Sequence, residues 1–311
     1  MNTSQARVID PVLSTVAQGY QNNEMIATGL FPIVPVALRG GNIITFGRES
    51  FMLYASQRAP GENTKRVRFG YAGSPYALVD YSLEGLVPME IEQEALNGPG
   101  IDLGSNAVNS VQAIMALRHE KACADIARNA GAYASSNKAT LSGTSRWSDY
   151  GSTSDPIGDV QDAISAVRAA TGKRPNVVAM GAVVMEKLKS HPKVLERIKY
   201  TGRDVATAEL LASLFGVQTV LSGDAIFSND AGTAFTDVWG TDVVVAYTPT
   251  ASAQNGGLPS YGYTYMLDGY PMVEEAYYDR NAKSYIYPVT RAEAPVLAAP
   301  SAGFLFTTAV T

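Results

Sequence analysis

A chain of 311 residues is long enough for two or three domains and buries about three quarters of the surface its unfolded form exposes. A net charge of −5 excludes a surface built to coat nucleic acid, and a single cysteine, Cys123, excludes a disulfide framework or a cysteine metal cage. The opening residues, MNTSQARVID, hold no apolar signal core, and no run reaches the ~18 apolar residues of a membrane span, so a soluble protein made in the cytoplasm is expected.

Residues 1–35 do not read as a compact unit. Ile9, Val12, Leu13 and Val16 are spaced for one short helix. The stretch that follows is interrupted by Gly19, Gly29, Pro32 and Pro35, and the prolines impose an extended path. An extended apolar arm cannot bury itself, so it must lie on another domain or another subunit. Residues 36–92 read as strands: Asn42–Phe46 and Ser50–Tyr54, a polar tip over 56–65 with the turn Ala59-Pro60-Gly61, then Arg66–Tyr71 and Tyr76–Val87. Arg66 and Arg68 face one way, Val67 and Phe69 the other. A two-stranded hairpin is marginal alone in water, so this one must dock on something. Glu90, Glu92 and Glu94 are read on one face of a strand, as a solvated face rather than a cation site.

Gly104–Gly131 reads as one long helix of roughly 40 Å, capped by Ser105 or Asn106 and closed by Gly131. Val108, Val111, Met115, Ala122 and Ile126 mark one face, while Ile114 and Leu117 fall off it, so the helix needs partners on two sides. Ala132–Ser154 is a Ser/Thr/Gly-rich loop around Trp147. From Asp155 the pattern becomes α/β. Asp155-Pro156 starts a helix that Gly172 ends. A strand over Asn176–Met180, a helix through Val184 and Leu188, a helix from Pro192 to Tyr200, a helix over Thr207–Phe215 closed by Gly216, and strands at Thr219–Leu221 and Val243–Tyr247 complete it. Residues 250–260 form a link. Tyr261, Tyr263, Tyr265 and Leu267 then alternate as a half-buried antiparallel strand. Asp268-Gly269 is a turn, Met272–Tyr278 and Ser284–Val289 form a hairpin around Asp279-Arg280-Asn281, and Phe304–Thr308 is the last strand.

No phosphate loop, dinucleotide fingerprint, nucleophile elbow, zinc motif or paired-carboxylate motif is present. His119 lies near the apolar face of the long helix and His191 precedes Pro192. Both are read as structural, and Cys123 as a small buried residue. The expectation is a protein that is not an enzyme and requires no metal or nucleotide cofactor.

The order of parts resembles the major capsid proteins of tailed bacteriophages, with the Hong Kong 97-type α+β fold. The phrases LFPIVPV, FMLYASQRAPGENTKRVRFGYAGSPYALVDYSLEGLVP, AELLASLFGVQTVLSGDAIF and SYGYTYMLDGYPMVEEAYYD carry it. The resemblance implies an N-terminal arm over 1–35 and an extension loop, the β-hairpin, over 36–92. It implies a peripheral domain of antiparallel sheet over 93–154 and 260–311 with a spine helix at 104–131, and an α/β axial domain over 155–259. It further implies pentamers and hexamers closing an icosahedral shell around double-stranded DNA, held without sequence-specific contact, in a virion capsid assembled in the bacterial cytoplasm. Partners would be further copies of the chain and a portal protein, with scaffolding, protease and decoration functions, where used, supplied by separate proteins; no membrane is involved. The arm begins close to Met1, so scaffolding, if needed, is expected to come from another protein. The inter-subunit contact is expected to join Arg58, Lys65, Arg66, Val67, Arg68 and Phe69 of the hairpin to Glu274, Glu275 and Asp279, or to the 90–94 carboxylates, of a neighbour. Some members of the family crosslink a loop lysine to an asparagine. Lys65 and Asn281, with Glu274 or Glu275 as base, are residues of the right types, but an uncrosslinked shell is expected. An encapsulin-like nanocompartment shell and an α/β enzyme with an oligomerising hairpin are the alternative readings.

Overall fold

The computed structural model describes residues 13–14, 25–42, 57, 61, 63, 66, 75–97, 102–151, 153–199, 206–228, 232–249 and 260–311. Most of the expected N-terminal helix, the hairpin strands between 43 and 74 and the link over 250–259 lie outside the described residues.

A single turn of helix, α1 (Ala27–Leu30), leads into β1 (Ile33–Val36). The arm is therefore not left for a neighbouring subunit over this stretch. Ile26, Ala27, Leu30 and Phe31 are buried in the chain's own core, and β1 adds in parallel to β11, described below. Pro35 is tolerated there because β1 lies at the end of the strand order. The root of the hairpin is β2 (Gly40–Asn42) paired with β3 (Pro75–Ala77), which runs on into β4 (Val79–Pro88).

Residues Met89–Asn97 form a helix, α2, and not the expected strand. At 3.6 residues per turn Glu90 and Glu94 share one face and Glu92 turns away from it, so the three do not line up as on a strand. Glu90 and Glu92 instead occupy the first turn, where carboxylates suit the helix dipole.

The long helix α3 spans Leu103–Ala127, 25 residues or about 38 Å. Its cap is Asp102, whose Oδ1 accepts from the Ser105 amide at 3.0 Å, so it begins earlier than the sequence suggested. It also ends earlier than Gly131. Asn129 is extended and starts a short 3₁₀ turn, and the Tyr133 hydroxyl donates to the Ala127 carbonyl at 2.6 Å. The buried stripe runs through Val108, Val111 and Met115 and then shifts to His119, Glu120, Cys123, Ala124 and Ala127. Ala122 and Ile126 are only half-buried. A straight helix drifts against a seven-residue repeat, and this helix also passes from one sheet to the other.

After β5 (Lys138–Thr140), α4 (Pro156–Thr171), β6 (Val177–Gly181), α5 (Ala182–Lys189), α6 (Pro192–Ile198), α7 (Ala208–Phe215) and β7 (Thr219–Gly223) follow in order. The short ribbon β8 (Ile226–Ser228) and β9 (Phe235–Asp237) precedes β10 (Val243–Ala246). The last strands are β11 (Gly262–Leu267), β12 (Met272–Val273), β13 (Tyr277–Asp279), β14 (Ser284–Leu297) and β15 (Gly303–Thr307).

Two sheets organise the molecule. In the first, β14 pairs with β4 along one edge and with β13, β12 and β11 in turn along the other. In the second the order is β5-β15-β10-β6-β7. The closing strand β15 therefore leaves the terminal antiparallel sheet, with which the sequence reading grouped it, and lies beside β10. Strand β11 is not half-buried either. Tyr263 and Tyr265 are buried because the hairpin root folds over them, with Tyr76 stacked on Tyr265 at 4.2 Å between ring centres.

One face of the five-stranded sheet packs Val178, Met180, Val243 and Val245 against Ile164, Val167, Leu188, Leu211 and Phe215 of its helices. The other packs Val177, Ala179, Val244 and Leu305 against Ala124 and Ala127 of α3 and against Leu30 and Phe31. Strands covered on both faces read as unbroken apolar runs. Trp147 is fully buried beside this sheet, and its Nε1 donates to Asp159 Oδ2 at 2.8 Å. Trp147→Phe is expected to cost about 1–3 kcal/mol, since the carboxylate loses its donor. The check is a lower urea midpoint at unchanged slope.

Candidate inter-subunit interface

The sequence places the expected inter-subunit contact on the hairpin, and the described residues show the strands at its root, β2, β3 and β4. Arg58, Lys65, Val67, Arg68 and Phe69 lie outside the described residues, and Arg66 is exposed. The root itself is fixed. Arg39 and Asp80 form an ion pair across it, and the Leu78 amide donates to the Arg39 carbonyl at 2.8 Å.

The expected acceptors differ in availability. Glu274 is half-buried and Glu275 exposed. Asp279, in β13, accepts from the Asn281 amide through Oδ1 at 2.8 Å, so one of its oxygens already serves the β13–β14 turn. Glu90 and Glu94 are exposed on α2.

The register places further exposed residues beside Asp279 that no local pattern of the sequence singles out. Gly85 lies against Ala107, and Tyr287 against Gly104, so odd positions of β4 and β14 face α3. Even positions face the other way. Glu84 lies opposite Pro288 and Leu86 opposite Ile286, while Tyr277 lies opposite Ile286 and Asp279 opposite Ser284 on the far side of β14. Glu84, Leu86, Tyr277 and Asp279 therefore share the sheet face turned away from the spine helix. The Tyr277 hydroxyl donates to Glu84 Oε1 at 3.3 Å across that face. Leu86 is 54% and Tyr277 48% exposed, so the patch is acidic and apolar together. In the sequence they show only as the alternation Asp80, Ser82, Glu84 against Val79, Tyr81, Leu83. Leu38, Val79, Leu83, Ile91 and Ile114 are exposed as well. Among the described residues β4 is paired along one edge only, and a ten-residue edge of this kind is a template for association unless something covers it.

Beneath this surface lies a buried charge cluster. Glu293 on β14 is wholly buried and accepts from Arg118 of α3. His119 Nδ1 lies 3.4 Å from its Oε1 and Arg291 Nε 3.6 Å from its Oε2. The Arg118 guanidinium rests on the Tyr81 ring, 3.2 Å from its centre. Burial raises the Glu293 carboxyl, but the hydrogen bond from His119 and the charges of His119, Arg291 and Arg118 outweigh it and hold it below the usual carboxylate range.

Cys123 Sγ lies 3.5 Å from His119 Nε2, so thiol, imidazole and carboxylate stand in the order of a nucleophile relay. Burial, with Glu120 and Glu293 nearby, pushes the Cys123 thiol well up, and a thiol with no exposed surface offers a substrate no approach. His191 caps α6: its Nδ1 accepts from the Lys193 amide at 3.2 Å, and its Nε2 lies 3.0 Å from Ser154 Oγ. Among the described residues no group of three or more His, Cys, Asp or Glu is placed to hold a metal ion, and no helix is long and apolar enough to cross a membrane.

Residues 114–262 match the family model described as phage major capsid protein E. The major capsid protein of Burkholderia phage BcepMu is 37% identical over 309 residues, covering 97% of both chains. The chain belongs to the major capsid proteins of tailed phages. A phage-related protein from Bordetella bronchiseptica RB50 has a crystal structure that superposes with a TM-score of 0.86 at 43% identity, over 98% of this capsid chain and 99% of that one. An encapsulin from Synechococcus elongatus PCC 7942 superposes with a TM-score of 0.53 at 11% identity, over 96% and 94% of the two chains, which is a likeness of fold alone. The capsid chain thus has the α+β fold of the Hong Kong 97-type shell proteins, with the sheet curled beside a spine helix.

Proposed function

We propose that the chain is the structural subunit of a phage head, assembling into pentamers and hexamers that close an icosahedral shell around double-stranded DNA. The observation that carries this is the end-to-end correspondence with the BcepMu major capsid protein. The exposed apolar and acidic face around β4 supports it, because a self-assembling subunit needs such a surface and a monomer does not. In this reading the six-stranded sheet with α3 is the peripheral domain and the five-stranded sheet the axial domain, with β15 contributed to the latter. The hairpin reaches onto a neighbour's sheet. The portal occupies one vertex, scaffolding, protease and decoration functions come from separate proteins, and assembly takes place in the bacterial cytoplasm. The chain acts without catalysis or cofactor. The structural contacts of both histidines and the closed position of Cys123 support that.

Electron microscopy of the purified protein is expected to show closed shells. Sedimentation of a 33.0 kDa monomer at every salt and protein concentration would refute self-assembly. The shared fold favours an encapsulin-like compartment as second reading. Nuclease-protected double-stranded DNA in particles from lysed host cells supports the phage head, whereas particles filled with a cargo protein support the compartment. Mature particles are expected to run as one 33.0 kDa band on a denaturing gel. A covalent ladder lost in Lys65→Ala would instead establish a crosslink through that lysine.

A further inference from the structure

The segment 25–36 touches both sheets. Through β1 it is hydrogen-bonded to the six-stranded sheet, and the Thr264 amide donates to the Pro32 carbonyl at 3.0 Å. Through Ile26, Ala27, Leu30 and Phe31 it seals one face of the five-stranded sheet. The approach is close at both ends: a Cβ on Gly29 would stand 2.5 Å from Leu221, and one on Gly262 2.4 Å from Phe31.

Glu120 holds this segment. It is 1% exposed, and among the described residues no cation pairs with it. A buried carboxylate without a counter-charge is costly unless hydrogen bonds fill its lone pairs. Here the Ile26 amide donates to Oε1 at 2.9 Å, the Ala27 amide to Oε2 at 2.9 Å, and Trp239 Nε1 to Oε1 at 2.6 Å. The donors come from two distant parts of the chain, the N-terminal segment and the connection between β9 and β10. The carboxylate stands on α3 where that helix passes from one sheet to the other.

We propose that residues 25–36 are a strap fastening the two sheets together and that Glu120 is its catch, a positioning residue for the angle between them. With the catch made, the strap closes the core of the five-stranded sheet. With it lost, the strap leaves its groove while each sheet stays folded, and the two halves of the subunit lose their fixed relation.

Hydrogen exchange on dilute, unassembled subunits tests this independently of shell formation. Glu120→Gln keeps the shape but puts an amide NH2, itself a donor, in place of one acceptor oxygen facing the backbone donors. The expected result is exchange at the Ile26 and Ala27 amides faster by about tenfold or more, with the β10–β6 and β4–β14 ladders at wild-type rates. Unchanged protection at 26 and 27 would overturn the proposal, as would an equal rise across both sheets. If Glu120→Gln does not fold, Trp239→Phe removes one donor only. The same local acceleration supports the catch, and a uniform one refutes it.

Discussion

Glu293→Ala is expected to destabilise the subunit by about 3–5 kcal/mol, the usual cost of removing one partner from a buried ion pair. The carboxylate is wholly buried between α3 and β14, with Arg118, His119 and Arg291 around it. Burial already lowers the Arg291 guanidinium against the pull of Glu293, and without the carboxylate its charge stands in the interior uncompensated. Arg118 is nearer solvent and keeps the Tyr81 ring, so Arg291 dominates the loss. The effect depends on pH. The folded-state carboxyl of Glu293 is depressed, so its contribution is full above the unfolded carboxylate value of about 4.3 and is lost as pH falls through the lower folded value. The gap between wild type and variant should close as pH falls below about 4. Urea unfolding of dilute subunits across that range is the measurement. A gap that persists at low pH would show that Glu293 acts by packing and not by charge.

Arg66→Glu with Arg68→Glu is expected to leave the subunit folded by circular dichroism and to abolish shells in the electron microscope. Four cations, Arg58, Lys65, Arg66 and Arg68, stand within eleven positions of the hairpin with only Glu62 between them. Glu84 and Asp279, flanked by Leu86 and Tyr277, form a face of opposite charge on the sheet. Such pairs contribute about 0–1 kcal/mol when exposed, but breaking one that an interface has covered costs about 2–5 kcal/mol. Every subunit of a closed shell donates one hairpin and receives one, so the loss recurs at each contact. High salt should weaken wild-type assembly in the same direction, since exposed charges are screened beyond about 8 Å at physiological ionic strength. Normal shells from the double variant would transfer the contact to Val67 and Phe69.

The elements that were legible in the sequence are those whose signals are local. Asp155-Pro156 opens α4, and Gly172 closes it at a φ of 68°. Thr207 and Gly216 bound α7 in the same way. A cap acts within a few residues of itself, so no distant part of the chain can overrule it. The long helix was legible as a stretch but not at its ends, because Asp102 competed with Ser105 for the start and Tyr133 returned to settle the finish. Residues 89–97 were misread because a run of alternating glutamates satisfies a strand pattern as readily as a solvated helix. The charge of the hairpin was legible, as four cations with Glu62 the one carboxylate among them. The sheet face that Glu84 shares with Tyr277 was not, because the two are 193 positions apart. By itself, then, the sequence determined the helix caps, the apolar runs of the covered sheet, the charge of the hairpin and, through the order of these parts, the family. The tertiary structure alone decided that β15 lies beside β10, that the arm closes a core in its own chain, and that Glu120 and Glu293 are buried. Their partners lie 94 and 175 positions away. Burial and pairing of a carboxylate depend on which strands and helices meet, and no local pattern of residues encodes that meeting.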